Sequence, residues 1–462
     1  MAISIPHFAQ TQLTLLASEL ASEIAESSAL VSLHAPAALQ RAGVALTNLV
    51  VNNQRTGLGG KTVLELGPDP ATSSGGGGNG SGNGNYLSMG LEMKATMERL
   101  QKMSEAEYTP FIRVLFGLSS PGPVAADLTK DLDVGDIKWV DPTLNDSQKD
   151  AIRFALASSE IALIHGPPGT GKTHTLIELI LQLVTLNKRI LVCGPSNISV
   201  DNIPGARGAV LGAVAGGEEG GLCGDHLQLP PTIKSLNLKG KKGKGGGGEE
   251  GVVNGATLET TLFDRLLKLH GPSIKRMLTT QYRMHEDIMR FPSDELYEGR
   301  LVAAEGVKAR LLKDLPYEVE DTDDTREPLI FIDTQGGDFP EKNEDEQDTG
   351  GGGKKLTKSS LYGDSKSNEM EAALVRQHVK SLVDAGAKPE DIAVVTPYNA
   401  QLAILAPLKE TFPGIELGSV DGFQGREKEA VIVSLVRSNP DGEVGFLGEK
   451  RRLNVAESQM YQ

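Results

Sequence analysis

The residues with the clearest chemical potential lie in one glycine-rich segment, residues 166–173, which reads Gly-Pro-Pro-Gly-Thr-Gly-Lys-Thr. It fits the pattern G-x-x-x-x-G-K-[ST], in which backbone N–H groups and a helix N-terminus converge on phosphate oxygens. The Lys172 amine would reach the β and γ phosphates, and the Thr173 hydroxyl would ligate Mg²⁺. The segment therefore predicts an ATP site made of Gly166, Pro167, Pro168, Gly169, Thr170, Gly171, Lys172 and Thr173.

A phosphate loop of this kind needs a strand before it and an amphipathic helix after it. The apolar run Ile161–Ile164 precedes the loop. Apolar residues follow at helical spacing, namely Leu176, Leu179, Ile180, Leu183 and Val184. The alternative is a glycine turn that binds no nucleotide, and the flanking strand and helix favour the phosphate site.

From Gln148 onward, short apolar runs alternate with helical stretches, which is typical of parallel strands joined by crossover helices. We predict an α/β fold with strands at Ile161–Ile164, Ile190–Cys193, Leu329–Ile332, Ile392–Val395 and Val431–Val436. Acidic stretches at Glu318–Asp324 and Glu341–Asp348 flank the third run, and we expect solvated loops there around a buried strand.

The length of 462 residues suits two or three domains. Near the N-terminus the pattern predicts a helix at about Gln10–Glu26 beside a small β unit containing Gly43–Val51 and Lys61–Leu66. Glycine tracts at 75–85, 239–248 and 350–353 are interpreted as linkers or loop insertions. We therefore divide the chain into an N-terminal helix and partial β domain at 1–66, a linker at 67–105, a first nucleotide-binding domain at 106–270 with a Gly/Lys insertion at 236–251, and a second domain at 271–462 that lacks its last strands.

Bulk composition limits the classes of function. Two cysteines, Cys193 and Cys223, are too few for a disulfide framework or a four-ligand zinc site, which favours a reducing compartment. No run approaches ~18 apolar residues, so we expect no membrane segment and a place in cytoplasm and nucleus. The net charge of −15 argues against general attraction of nucleic acid, so any such site must be a groove whose sign differs from the bulk.

Further segments share an order along the chain: Gln54–Gly57, Leu144–Gln148, the phosphate loop, Gly194–Asn197, Gly224–Pro231, Gln281–Met284, Thr396–Tyr398 and Val420–Glu427. Together they resemble the motifs of superfamily 1B helicases. In their residues they most resemble the motifs of the immunoglobulin-mu-binding and DNA-polymerase-alpha-associated helicases. The resemblance implies two RecA-like P-loop domains with parallel sheets, beside the small N-terminal helix and β unit. It also implies ATP and Mg²⁺ as cofactors and 5′-to-3′ movement on single-stranded DNA, with RNA as the alternative.

The resemblance assigns nucleotide roles residue by residue. Gln148 would read adenine through its amide, Tyr282 would stack on the base, and Gln228 would sense the γ phosphate. Arg283 would stabilise charge during phosphoryl transfer, and Glu427 would contact the nucleotide. From the residues alone, each could instead be structural: a polar helix start, a strand cap, a packed tyrosine with a surface ion pair, or a charged turn. The implied catalytic set is Lys172, Thr173, Gln228 and Arg283.

Two loops resemble those that grip the sugar–phosphate backbone of a single strand. Hydroxyls, amides and backbone N–H groups suit phosphate contact that reads no sequence. Ordinary strand-ending turns are the alternative. The implied nucleic-acid contacts are Pro195, Ser196, Asn197, Thr396, Pro397 and Tyr398. The basic cluster Lys239, Lys241, Lys242 and Lys244 is interpreted as a spacer rather than a phosphate contact.

One feature that the resemblance requires is missing. An active helicase of this kind needs an apolar strand ending in Asp-Glu, which holds Mg²⁺ and polarises the attacking water. Residues 203–223 contain no such strand, and the nearest substitute is Ala209–Ala215 followed by Gly-Gly-Glu218-Glu219. Downstream, position 459 holds Gln459 where the resemblance predicts an arginine. The sequence favours an ATP-dependent helicase by family whose hydrolysis is impaired in this chain, over an active one and over a P-loop ATPase outside the helicases.

Overall fold

The structure is a computed structural model, and it describes residues 4–33, 49–56, 62–68, 85–124, 137–193, 213–215, 219–229, 260–343, 365–423, 426–448 and 450–457. The chain divides into two compact units, residues 1–108 with 231–261 and residues 109–230 with 262–462. The predicted Gly/Lys insertion at 236–251 lies outside the described residues.

The first unit contains two helices and a hairpin: α1 (Ile5–Leu33), β1 (Leu49–Thr56), β2 (Thr62–Pro68) and α2 (Asn85–Lys102). α1 packs against α2, and Gln101 donates a hydrogen bond to Gln10 at 2.6 Å. β1 and β2 pair antiparallel, so the predicted helix and β unit are confirmed. The linker prediction for 67–105 is wrong over α2, where Leu, Met, Glu and Lys residues favour a helix despite the preceding glycine tract. None of the described helices is long and apolar enough to cross a membrane.

The second unit begins with a four-stranded sheet. Its elements are α3 (Pro110–Leu115), α4 (Asp146–Ala157), β3 (Ile161–His165), α5 (Lys172–Thr185), β4 (Ala213–Ala215), β5 (Glu219–Gly224), α6 (Leu262–His270) and β6 (Lys275–Met277). The strand order is β4-β5-β3-β6, in which β5 and β6 run parallel to β3 and β4 runs antiparallel to β5. All residues of β3 are buried, as a central parallel strand requires. Because β6 belongs to this sheet, the sheet extends past residue 270, where we place the domain boundary.

The buried face of α5, the helix after the phosphate loop, contains both apolar and polar side chains. Leu179 and Leu183 are buried as predicted, but Val184 is 57% exposed, contrary to the prediction. Glu178 is buried instead and accepts the backbone N–H groups of Val140 and Asp141, each at 3.0 Å. α5 therefore packs partly against polar backbone, which hydrophobic periodicity does not detect.

The second sheet lies in the C-terminal half. The elements are β7 (Thr280–Gln281), α7 (Glu286–Leu296), β8 (Val302–Ala303), α8 (Asp323–Arg326), β9 (Lys342–Asn343), β10 (Lys366–Ser367), α9 (Glu369–Asp384), β11 (Ile392–Thr396), α10 (Asn399–Leu405), α11 (Leu408–Thr411), β12 (Glu416–Ser419), α12 (Val420–Phe423), β13 (Ala430–Val433) and α13 (Lys450–Glu457). β12 and β13 flank β11, and both pair parallel to it. Two sheets with parallel cores confirm the predicted α/β fold.

Three strand predictions differ from the structure. Leu329–Ile332 forms no strand, and its side chains are 45–82% exposed, because local β propensity cannot supply a pairing partner. Ile190–Cys193 likewise forms no strand, although Val192 is buried against α5. β13 ends at Val433, before the predicted Val436, whose φ of 72° is incompatible with a strand.

The central position of β3 gives a stability test. We expect Leu163→Ala to lower the free energy of unfolding by about 2–5 kcal/mol, because Leu163 is fully buried and the change leaves a cavity. Leu191→Ala is the matched control, since Leu191 is 53% exposed and its loss should cost no more than about 0.5 kcal/mol. Urea unfolding followed by circular dichroism measures both, and equal effects would contradict the core position of β3.

Candidate nucleotide-binding site

The phosphate loop closes tightly between β3 and α5. The N–H of Gly166 donates to the carbonyl of Gly224 at 3.0 Å, which ties the start of the loop to the end of β5. The Thr170 hydroxyl donates back to the Pro167 carbonyl at 2.7 Å. α5 begins at Lys172, so the free N–H groups of its first turn face the loop. This is the strand, loop and helix geometry that the sequence predicts.

Two loop glycines have no substitute without displacement of a neighbour. Gly169 and Gly171 have φ values of 70° and 74°, in the left-handed region that side chains disfavour. A Cβ on Gly169 would lie 2.7 Å from Cβ of Arg283. A Cβ on Gly171 would lie 2.6 Å from Nε2 of Gln148. The loop is thus in direct contact with two residues whose nucleotide roles the resemblance implies.

The Lys172 ammonium group is held inside the loop. It donates to the carbonyls of Gly166 and Pro167 at 2.6 and 3.1 Å. Burial lowers the pKa of Lys172, while the nearby charge of Asp225 opposes that shift. Thr173, the next residue of the helix, is exposed. A phosphate would offer Lys172 a charged acceptor in place of neutral carbonyls, and charge-assisted hydrogen bonds are stronger.

The predicted adenine residues lie beside the loop. Gln148 is 4% exposed and forms a capping box with Asn145 at the start of α4, so it is a buried rather than an exposed polar residue, and its adenine role stays a prediction. Its amide nitrogen donates to the Thr170 carbonyl at 3.2 Å, and its oxygen accepts the Asn145 N–H at 2.9 Å. Asn145 in turn donates to the Tyr282 hydroxyl at 3.0 Å. Gln148 keeps one N–H and one lone pair, the pair of functions that adenine recognition needs.

Arg283 lies on the other side of the loop and pairs with Glu427. Its Nε and Nη2 atoms contact Oε2 of Glu427 at 2.9 and 2.7 Å. The backbone N–H of Arg283 donates to the buried side chain of Gln281 at 2.7 Å, while Tyr282 donates its own N–H to the Gly169 carbonyl at 2.9 Å. The structure thus brings Tyr282, Arg283 and Glu427 together at the loop.

Asp225 is the centre of a buried hydrogen-bond network directly after β5. Oδ1 accepts from His165 at 2.9 Å and from the Leu227 N–H at 3.1 Å. Oδ2 accepts from the Gln228 amide at 3.1 Å and from the Tyr297 hydroxyl at 2.8 Å. Burial alone would raise the pKa of Asp225, but the hydrogen bond from His165 and the charge of Lys172 hold it below its ordinary value.

Metal ligands are sparse among the described residues. No group of three or more His, Cys, Asp or Glu side chains that could hold a metal occurs in the described part of the chain. Asp225 is the carboxylate whose charge acts on Lys172, and its oxygens already accept four hydrogen bonds, about the capacity of a carboxylate. These residues do not fit a closely held Mg²⁺, and Thr173 remains the predicted ligand.

The predicted nucleic-acid residues are only partly described. Pro195, Ser196 and Asn197 lie outside the described residues. Thr396 ends β11 and is fully buried, and Tyr398 is 4% exposed. Pro397 between them is half-buried. Their role in nucleic-acid binding stays a prediction, which would act through the backbone and Pro397 rather than the buried side chains.

Several residues of this site were assigned no role from the sequence, among them Asn145, Tyr297 and Asn454. Asn145 had a detectable signal, because Asn followed three residues later by Gln is a capping box, and the structure shows that box. Tyr297 and Asn454 had none, since their hydrogen bonds to the Asp225 network join residues far apart in sequence.

A phosphate loop after a buried parallel strand, with an aromatic residue and an Arg–Glu pair contributed from the C-terminal half, defines a two-domain P-loop nucleotide-binding protein. Family profiles match three regions: the 1B domain of helicase SMUBP-2/HCS1 at residues 9–77, and AAA domains at residues 143–206 and 258–458. The AAA matches leave residues 207–257 uncovered, which include the region where the Asp-Glu strand is missing.

Relatives from several organisms are DNA helicases or DNA-binding proteins by name. DNA polymerase alpha-associated DNA helicase A of Schizosaccharomyces pombe is 33% identical, with 90% of this chain and 86% of the relative covered. DNA-binding protein SMUBP-2 of Rattus norvegicus is 32% identical over 79% of this chain and 46% of its own length. The helicase A of Saccharomyces cerevisiae is 33% identical, covering 69% and 64%. This chain therefore belongs to the superfamily 1 helicase family of SMUBP-2 and helicase A, and it spans about half the length of the SMUBP-2 relative.

The contact between Gly171 and Gln148 can be tested by substitution. We expect Gly171→Ala to destabilise the protein by about 1–3 kcal/mol, because the new Cβ is strained by φ and displaces Gln148. Gly221→Ala is the matched control, since a Cβ there meets no atom within 4 Å and φ is ordinary. Thermal unfolding compares the two, and equal midpoints would show that the loop does not have this conformation.

Proposed function

We propose that this chain binds ATP at the phosphate loop and single-stranded DNA at its helicase loops but hydrolyses ATP poorly. The observation that carries the proposal is the strand register around β5. This register keeps Glu219, the described glutamate of the nearest substitute for the Asp-Glu motif, away from the phosphate loop. The proposed site residues are those that the resemblance implies, from Gln148 and the loop to Gln228, Tyr282, Arg283 and Glu427.

The register places the backbone of Glu219 one strand length away from the phosphate loop. β5 runs parallel to β3, with Gly220 opposite Ile161 and Gly224 opposite His165. The backbone of Glu219 therefore lies at the start of the sheet, whereas the phosphate loop follows its opposite end. At roughly 3.3 Å per residue, five residues span about 16 Å. A carboxylate at that distance cannot polarise a water at the γ phosphate, which needs contact near 3 Å.

The hairpin explains why the replacement fails. β4 pairs antiparallel with β5, with Ala215 opposite Glu219. An apolar strand that ended in acids at the phosphate edge would have to run parallel to β5. In the antiparallel direction its acidic end falls at the wrong edge of the sheet. Residues 209–212 and 216–218, including Glu218, lie outside the described residues. The described part of the nearest substitute, Ala213–Ala215 and Glu219, supplies the composition of the motif without its strand direction.

Nucleotide binding depends on different atoms, and several features of the loop support it. The glycine conformations, the Lys172 ammonium group and the start of α5 need no acidic strand. The Gln148 amide and the Tyr282 ring lie beside the loop for the base. We infer that affinity for the nucleotide survives, that any Mg²⁺ would arrive with it and meet Thr173, and that turnover is lost.

The nucleic-acid partner is inferred from the family. The relatives include a DNA-binding protein and a DNA helicase by name, which supports DNA over RNA. The proposed contacts are Pro195, Ser196, Asn197, Thr396, Pro397 and Tyr398, and the proposed location is cytoplasm and nucleus. The division at 1–66, 67–105, 106–270 and 271–462 needs two shifts: α2 belongs to the first unit, and β6 to the first sheet.

An active 5′-to-3′ DNA helicase is the second candidate. The identity and coverage of the helicase A relative from Schizosaccharomyces pombe favour it. Its alignment runs over 581 residues, more than the 462 of this chain, so that relative has segments with no counterpart here. The two candidates share ATP and DNA binding and differ in hydrolysis.

Loss of the Lys172 amine should weaken nucleotide binding. We expect Lys172→Ala to raise the Kd for a fluorescent ATP analogue about 10- to 150-fold, since a charge-assisted hydrogen bond contributes about 1.5–3 kcal/mol. Lys409→Ala, at an exposed position of α11 in the C-terminal half, controls for the loss of one positive charge and should leave the Kd unchanged. Fluorescence titration measures both, and unsaturable binding to the native chain would refute the nucleotide site.

Hydrolysis decides between the two candidate functions. We expect phosphate release with single-stranded DNA to stay close to that of Lys172→Ala, because no described carboxylate is available to the attacking water. A chain that carries an inserted parallel strand ending in Asp-Glu before Gly224 is the gain-of-function comparison. Robust DNA-stimulated turnover by the unaltered chain would establish the active helicase instead.

A further inference from the structure

A continuous chain of hydrogen bonds runs from the phosphate loop to the last described helix. His165 directly precedes Gly166, and its ring contacts Asp225. Asp225 accepts from the Tyr297 hydroxyl, and that hydroxyl accepts from the Asn454 amide at 2.8 Å. His165, Tyr297 and Asn454 are all at most 2% exposed. Each link is therefore shielded from water, where hydrogen bonds are strong and costly to leave unmade.

The direction of each hydrogen bond is fixed along this chain. An ionised carboxylate only accepts, so the single proton of Tyr297 must point to Asp225. The hydroxyl oxygen is then left to accept from Asn454. Burial and the charge of Asp225 both raise the pKa of Tyr297, which keeps that proton in place. A displacement of Asp225 would therefore shift the Tyr297 hydroxyl, and with it the hydrogen bond that this hydroxyl accepts from Asn454.

Gln228 and Tyr297 share one acceptor atom. The Gln228 amide and the Tyr297 hydroxyl both donate to Oδ2 of Asp225, at 3.1 and 2.8 Å. If the Gln228 amide turns toward a γ phosphate, Oδ2 loses one of its two donors. The hydrogen bond from Tyr297 would then supply more of the stabilisation of Oδ2, so its length and direction would respond to the position of Gln228.

Asn454, at the end of this series of hydrogen bonds, lies on α13, which packs against the second sheet. The other N–H of the Asn454 amide donates to the Leu227 carbonyl at 3.0 Å, so α13 contacts the loop after β5 directly at Leu227 and indirectly through Tyr297. Val455 and Ala456 of α13 pack in one core with Ala393 and Val395 of β11. β11 ends at Thr396, where the proposed nucleic-acid loop begins.

We propose that the Tyr297 hydroxyl is a positioning group that couples nucleotide occupancy at the phosphate loop to the nucleic-acid loop at the end of β11. The inference rests on the proposed function, since it requires both ligands to bind. Because coupling between two sites is reciprocal, ATP should alter the affinity for DNA by the same factor by which DNA alters the affinity for ATP.

Tyr297→Phe tests the coupling because it removes one oxygen and preserves the buried ring. The Kd of a fluorescein-labelled oligothymidylate is measured for the full chain with and without saturating non-hydrolysable ATP analogue. We expect a ratio of about 5 or more for the native chain and a ratio near 1 for Tyr297→Phe. The Kd of the oligonucleotide without analogue, and the Kd of the analogue without oligonucleotide, should each stay within about twofold of native. Tyr317→Phe, which removes a hydroxyl bonded to Asp391 at 2.6 Å, should keep the native ratio.

A second variant guards against a purely structural effect. Asn454→Leu conserves side-chain bulk but removes both amide donors, and it should also bring the ratio near 1, with thermal unfolding confirming that it is folded. A native ratio in Tyr297→Phe would overturn the coupling, as would independent binding of the two ligands to the native chain. Failure of the native chain to bind the analogue or the oligonucleotide alone would instead refute the proposed function, and the coupling with it.

Discussion

A carboxylate removed from water must be surrounded by hydrogen-bond donors, and this requirement at Asp225 organises the site. An uncompensated buried charge costs several kcal/mol, so the fold must bring His165, Gln228, Tyr297 and the Leu227 N–H to one residue. His165 can reach Asp225 only if β3 and β5 are aligned at their carboxyl ends, and the Gly166 to Gly224 hydrogen bond fixes that alignment. The hydrogen bonds that Asp225 requires therefore depend on the same strand alignment that fixes the start of the phosphate loop.

The same requirement separates binding from hydrolysis. Donors that stabilise Asp225 occupy the lone pairs that a metal would need, so a carboxylate held in this way cannot also serve as a ligand. The charge of Asp225 still opposes the effect of burial on Lys172 and favours its charged form. Asp225 would therefore support attraction of phosphate without serving as a metal ligand. Under the proposed function, the site would keep a nucleotide pocket without hydrolytic carboxylates.

The predictions from sequence succeeded where the signal is local. The phosphate loop, β3 and α5 follow from a short motif and the periodicity around it. The capping box of Asn145 and Gln148 is an equally local signal, but none of the predictions from sequence rests on it. They failed where a feature depends on distant partners. Leu329–Ile332 has the composition of a strand but no neighbour to pair with, and it is exposed. Tyr297 and Asn454 meet Asp225 through folding alone, so no spacing in the sequence could indicate them.

The Arg283–Glu427 pair shows how the C-terminal half can respond to a phosphate at low energetic cost. The Glu427 side chain is 43% exposed, whereas that of Arg283 is 14% exposed. A pair with such an exposed partner contributes little net stability, about 0–1 kcal/mol, because Glu427 recovers hydration when it is released. In its more buried position, the Arg283 charge would be stabilised by a second anion close by. A γ phosphate in the adjacent loop would provide that anion, since Gly169 already touches Arg283. Exchange of one anionic partner for another would then leave the charge balance of the site intact, and Glu427, rather than Arg283, would be the residue that moves.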